Sequence, residues 1–176
     1  MDRMAVSGGS VLNGNVKTSG AKNSALKLLF STILAEGTHH FKNVPELKDI
    51  ESTSQLLESL GIKSERKGDD FLVHSTRLNN FQASYDLVRK MRASILCLGP
   101  MLTKYGEAVV SLPGGCAIGS RPIDLHLDGM RALGAEIELK EGFVHAKAKR
   151  LQGTTFLFEN ITVGGTENMM MAASLA

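Results

Sequence analysis

The strongest constraint on the fold is an internal repeat. Two copies of one unit follow each other at an offset of about seventy residues, a period that marks duplicated supersecondary structure. Ile50, Leu57, Leu60, Gly61 and Glu65 match Ile123, Met130, Leu133, Gly134 and Glu138, and Gly37 matches Gly106. Phe71, Val73 and His74 are aligned with Phe143, Val144 and His145, which assigns the two histidines a shared structural role. Equivalent elements in such a chain must bury equivalent faces against one another.

Each copy reads as helix, strand, helix and two strands. Leu26, Leu29, Phe30, Ile33 and Leu34 recur at helical spacing and predict a helix over 21–35. A short strand, His40 to Val44, ends at Pro45. A helix from Asp49 to Leu60 follows, with Gly61 as the residue that ends it. Ile62–Glu65 and Phe71–His74 form a hairpin around Lys67-Gly68-Asp69-Asp70. The second copy predicts a helix from Asp86 to Tyr105, strand Ala108–Leu112, helix Ile123–Leu133, and strands Glu136–Leu139 and Phe143–Ala146. Gly165-Thr166-Glu167-Asn168 then echoes Gly20-Ala21-Lys22-Asn23, and Met169–Ala176 opens another helix. A third copy thus begins and stops, and the expectation is the N-terminal part of a longer enzyme.

Composition narrows the function classes. The net charge is +2, and the densest basic cluster is only Lys147-Ala148-Lys149-Arg150, so no nucleic-acid partner is expected. The apolar runs fall short of a membrane span, and no hydrophobic signal core follows Met1. Two cysteines without C-x-x-C spacing indicate neither a disulfide scaffold nor a zinc site, and the five histidines show no metal spacing. A cytoplasmic protein without metal or cofactor is the expectation. The Met169-Met170-Met171 run reads as core.

The segment Ser111-Leu112-Pro113-Gly114-Gly115-Cys116-Ala117-Ile118-Gly119-Ser120-Arg121-Pro122 carries the chemistry. It sets a cysteine in a glycine-rich loop, with an arginine and then a proline where a helix should start. Free amides at a helix N-terminus favour anions, Arg121 adds a two-pronged fork for phosphate or carboxylate, and the same field favours a Cys116 thiolate. Cys97, in the apolar run Ile95-Leu96-Cys97-Leu98, reads instead as a buried structural thiol. Lys22 falls in the first turn of a helix, where a cation opposes the dipole unless an anion docks there.

Together with Ser19-Gly20-Ala21-Lys22-Asn23, Met91-Arg92-Ala93-Ser94 and Val163-Gly164-Gly165-Thr166-Glu167-Asn168, this loop resembles the enolpyruvyl transferases over the whole chain. Gly165 stands where relatives often carry alanine. The resemblance implies an α+β fold of two domains, each an inverse α/β barrel of three βαβαββ units, with the active site in the cleft between them. Residues 1–20 would be a strand segment, with Arg3–Val16 turning at Asn13-Gly14, that packs with a second domain missing here. Residues 21–176 would be one domain with two full repeats and the start of a third. An acidic general base and further arginines would belong to the missing domain.

The activity so implied transfers enolpyruvyl from phosphoenolpyruvate to the 3-hydroxyl of UDP-N-acetylglucosamine, the first committed step of peptidoglycan synthesis. By the same resemblance Cys116 donates a proton, assists product release and is the target of fosfomycin. Lys22, Asn23 and Arg121 would bind phosphoenolpyruvate. Arg92, Arg121, Pro122, Ile123, Asp124 and Leu125, with Asn160, Ile161, Thr162 and Val163, would bind UDP-N-acetylglucosamine. The rivals are the sister enzyme acting on shikimate 3-phosphate, a cysteine hydrolase built on Cys116, and a non-catalytic nucleotide-sugar binding domain. The sister enzyme lacks the cysteine loop, and the hydrolase lacks a histidine in a loop suited to act as its base.

Overall fold

A computed structural model describes residues 3–83, 92–112 and 123–176, with the side chains of Arg92 and Ala93 outside that description. The first copy folds as helix α1 (Lys22–Ser31) with a 3₁₀ turn Thr32–Leu34, strand β1 (Gly37–Lys42), helix α2 (Lys48–Ser59), and strands β2 (Lys63–Lys67) and β3 (Asp70–Ser75). A two-residue strand β4, Gln82–Ala83, leads to a 3₁₀ helix Arg92–Cys97 that continues as α3 (Leu98–Tyr105). The second copy goes on with β5 (Glu107–Ser111), α4 (Asp124–Ala132), β6 (Glu136–Lys140) and β7 (Phe143–Lys147). Helix α5 (Val163–Ala173) comes last.

The expected helix over 86–105 differs from what is seen. Its described part is 3₁₀ up to Cys97 and α only from Leu98. Pro100 explains the change, because proline lacks an N–H and tolerates only the first turn of an α-helix. The expected part from Asp86 to Met91 lies outside the described residues.

Two sheets result, the first antiparallel and the second mixed. Strands run β1-β3-β2 in one sheet and β4-β5-β7-β6 in the other, and β4 joins β5 in parallel, so the second sheet recruits a strand from the end of the first copy. Helices α2 and α4 both end on left-handed glycines, Gly61 (φ 103°) and Gly134 (φ 91°), a conformation without steric cost only for glycine.

The ladders correct one part of the sequence alignment. Lys67 faces Asp70 in the first hairpin, and Lys140 faces Phe143 in the second. The spacing that carries Leu60 onto Leu133 therefore carries Phe71 onto Val144 and Val73 onto Ala146. His74 corresponds to Lys147, and His145 to Leu72, so the two histidines do not share a position. The buried sides agree: Phe71, Val73 and Ser75 line the inner face of β3, and Val144 and Ala146 that of β7.

Residues 3–20 form no strand or helix. Met4, Val6, Val11, Leu12 and Val16 are all exposed, and Lys17 reaches Asp69 at 3.3 Å. No strand edge among the described residues pairs with this stretch. One continuous apolar core holds the rest. Leu29, Phe30 and Ile33, Leu56 and Leu57 of α2 with Leu60 just after it, Leu98, Met101 and Leu102 of α3, and Leu127 and Met130 of α4 all belong to it, and α1 packs on α2 while α5 packs on α3 and α4. Each such side chain contributes about 1.5–3 kcal/mol when fully buried. Among the described residues no helix is long and apolar enough to cross a membrane.

Candidate functional site

Three helix N-termini carry the sequence-derived candidates that the structure describes. Helix α1 starts at Lys22 after an extended Ala21, with no capping side chain and no acidic residue in its first turn. Its first amides therefore lack the oxygen that usually caps such an end. Lys22 and Asn23 are both exposed there. The Lys22 ammonium lies 2.8 Å from Asp49 Oδ2, in the first turn of α2. That carboxylate neutralises Lys22 and also suits the positive end of α2. The backbone behind Lys22 is closely packed, since a Cβ on Gly20 would overlap the Asn43 carbonyl oxygen. Beside the first turn of α1 lies a cavity of about 160 Å³, lined in part by Gly20, Ala21, Ser24 and Asn43.

The other two N-termini belong to α4 and α5. Ile123 is the residue before α4, Asp124 is exposed in its first turn, and Leu125 is half-buried. Helix α5 starts behind Thr162, whose Oγ1 accepts the Gly165 N–H at 3.1 Å. Just before it Ile161 is fully exposed and Asn160 is exposed, and Val163 is largely so. Helix α5 packs against both α3 and α4. An ion pair of 3.1 Å between Lys27 and Glu167 ties it to α1 as well.

Asn168, fully buried on α5, is the joint of this region. Its Oδ1 accepts the Gly99 N–H at 3.0 Å, and its Nδ2 lies 3.1 Å from both the Ile95 carbonyl and His126 Nδ1. The approach of α3 to α5 needs a residue without a side chain. A Cβ on Gly99 would overlap the Asn168 amide oxygen and lie 2.6 Å from the Asn168 carbonyl oxygen. Burial pushes the His126 imidazole down to about 4, so it is neutral at pH 7.

Cys116, Arg121 and Pro122, like the Arg92 side chain, lie outside the described residues. Cys97 is fully buried, and desolvation pushes its thiol up to about 12, which makes it the inert thiol its apolar surroundings predict. Among the described residues no group of three His, Cys, Asp or Glu side chains could hold a metal. A larger cavity of about 330 Å³, where Lys104, Lys147, Lys149 and Arg150 gather, includes none of the candidate residues. Asp49, Asn168 and His126 were not singled out by sequence reasoning. Asn168 did stand in the repeat echo that pairs it with Asn23, but its buried amide network has no signature in the chain.

The fold is that of the enolpyruvyl transferases. The chain superposes with a TM-score of 0.70 on the enolpyruvyl transferase NikO from Streptomyces tendae (24% identity, 82% of this chain and 32% of that one). It superposes with a TM-score of 0.72 on an EPSP synthase from Acinetobacter baumannii (19% identity, 93% and 38%). The sequence is more specific. Residues 6–176 match the model of the EPSP synthase (3-phosphoshikimate 1-carboxyvinyltransferase) family, and the chain belongs to that family. It is 69% identical over 173 residues to the UDP-N-acetylglucosamine 1-carboxyvinyltransferase of Bdellovibrio bacteriovorus, and 54% identical over 176 residues to that of Geobacter metallireducens. The chain spans 42% of the length of each of these relatives.

Proposed function

We propose that this chain is part of an enzyme that transfers enolpyruvyl from phosphoenolpyruvate to the 3-hydroxyl of UDP-N-acetylglucosamine, releasing phosphate. The observation that carries this reading is the 69% identity to a UDP-N-acetylglucosamine 1-carboxyvinyltransferase across 98% of the chain. The finer architecture in this reading is one inverse α/β barrel of βαβαββ units, residues 21–176, with residues 1–20 packing on a second domain that completes the cleft. The exposed apolar side chains of that first segment support the last point.

Carbon 3 of phosphoenolpyruvate takes up a proton, which makes carbon 2 electrophilic. The sugar oxygen bonds to carbon 2 while a base takes the hydroxyl proton. Loss of a proton from carbon 3 then restores the alkene as the C–O bond to phosphate breaks. Cys116 donates the proton to carbon 3 and assists product release. Lys22, Asn23 and Arg121 hold the carboxylate and phosphate, countering charge where it develops, which is usually the largest catalytic contribution. Arg92 and Arg121–Leu125, with Asn160–Val163, hold the nucleotide sugar. The uncapped first turn of α1 and the placement of Ile123–Leu125 and Asn160–Val163 at the starts of two neighbouring helices support these roles. Lys22 has to exchange Asp49 for substrate.

The family description favours a second reading, transfer to shikimate 3-phosphate. Calorimetric titration of the intact protein separates the two. Binding of UDP-N-acetylglucosamine and not of shikimate 3-phosphate is expected, and the reverse preference overturns the assignment.

A further inference from the structure

The amide of Asn168 can be oriented from its backbone partners alone. The Gly99 N–H can only donate and the Ile95 carbonyl can only accept, so the atom at 3.0 Å from Gly99 is the amide oxygen and the atom at 3.1 Å from Ile95 is the NH₂. The second NH₂ hydrogen then points at His126 Nδ1, 3.1 Å away. A nitrogen that accepts a hydrogen bond carries no proton, so the neutral ring holds its proton on Nε2. The tautomer of His126, on α4, is thus dictated by the backbone of the 3₁₀ helix and α3 through a side chain of α5.

The location gives this chain of bonds its use. His126 directly follows Ile123-Asp124-Leu125, and its ring faces the first turn of α5. A Cβ on Gly164 would sit 3.4 Å from His126 Cε1 and 3.5 Å from Nε2. The ring therefore sits on α4 just after Ile123–Leu125 and against Gly164, the residue that follows the 160–163 stretch, so it adjoins both stretches assigned above to the nucleotide sugar. A buried amide whose oxygen has a donor and whose two N–H groups both have acceptors resists rotation, because the flipped orientation leaves buried groups unpaired at a cost of about 1–3 kcal/mol.

We infer that Asn168 is a positioning residue for the nucleotide-sugar site: through the Nδ1 of His126 it locks the starts of α4 and α5 to each other and to the helix that begins at Arg92. This rests on the proposed function. Its substrate side is more the nucleotide sugar than phosphoenolpyruvate: of the residues assigned to phosphoenolpyruvate, Lys22 and Asn23 stand at α1, outside the bond network, and only Arg121 is shared with the nucleotide-sugar stretch.

The test uses the intact protein with ¹⁵N-labelled histidine at pH 7, alone and as Asn168→Asp. The wild-type His126 should show a protonated Nε2 and an unprotonated Nδ1. The aspartate keeps the shape but offers oxygen in place of the NH₂, so Nδ1 should become protonated. In phosphate-release assays the KM for UDP-N-acetylglucosamine should rise about tenfold, and the KM for phosphoenolpyruvate should stay within about twofold. A wild-type His126 protonated on Nδ1 overturns the inference even if the variant fails to fold. So does an unchanged KM for the nucleotide sugar, or an equal rise for both substrates. If the wild-type protein ignores UDP-N-acetylglucosamine altogether, the proposed function fails instead, while the ¹⁵N signals still report whether Asn168 sets the tautomer.

Discussion

Lys22 and Asp49 join the first turns of α1 and α2 through a contact of 2.8 Å, with both side chains more than a third exposed. An ion pair of that exposure is worth about 0–1 kcal/mol, so an incoming anion can displace it at small cost. On the role proposed for Lys22, Asp49 competes with substrate for its ammonium. Asp49→Asn should tighten inorganic phosphate binding by up to about fivefold, the factor that 1 kcal/mol represents. Calorimetric titration of both proteins checks this, and weaker phosphate binding in the variant would show that Asp49 orients Lys22 instead.

The two cysteines should differ in reactivity. With its thiol pushed up to about 12 by burial, Cys97 has almost no thiolate at neutral pH. Iodoacetamide at pH 7.5 (roughly neutral, below the ordinary thiol pKa) should give a single adduct, at Cys116, with Cys97 modified only after unfolding. Fosfomycin should modify Cys116 alone, and Cys116→Asp should abolish that adduct while the intact enzyme keeps some turnover. Peptide mass mapping reads both outcomes, and a native adduct on Cys97 contradicts the first.

Stability should fall as His126 is forced to accept a proton. Its folded value is about 4, below the ordinary 6.5, so the unfolded chain binds the proton first on acidification. The contribution is complete above the ordinary value, declines as pH falls from about 6.5 to 4, and is lost below that. A displacement of that size corresponds to roughly 3 kcal/mol. Urea midpoints measured from pH 7 to pH 4 (roughly the window set by this linkage) should drop less steeply for His126→Gln. Parallel profiles would remove His126 from the account.

Gly99→Ala probes the seam between α3 and α5. The added methyl overlaps the Asn168 side chain, a group with no free space to move into. Overpacking of this kind costs about 1–3 kcal/mol, read as a lower urea midpoint. A neutral substitution would mean that the helices part without penalty.

The repeat was legible wherever period and punctuation coincided. Helix α2 and the hairpin after it follow from apolar spacing plus Gly61, and their copies from Gly134. The tail of the alignment was not, because Phe-Leu-Val-His and Phe-Val-His look alike in sequence. Only the pairing of Lys67 with Asp70 and of Lys140 with Phe143 sets the register. Lys22 could be placed at a helix start from local pattern. Asp49, its partner, could not, since a contact between separate helices leaves no local trace. Asn168 shows the same limit: its neighbours Ile95 and Gly99 lie about seventy residues before it and His126 about forty.

The most direct test of the central claim is phosphate release from phosphoenolpyruvate by the intact enzyme, with UDP-N-acetylglucosamine or shikimate 3-phosphate as acceptor. The account predicts release with the nucleotide sugar, its loss in Lys22→Ala, and none above background with shikimate 3-phosphate. Release that depends on shikimate 3-phosphate, or that survives unchanged without Lys22, would contradict it.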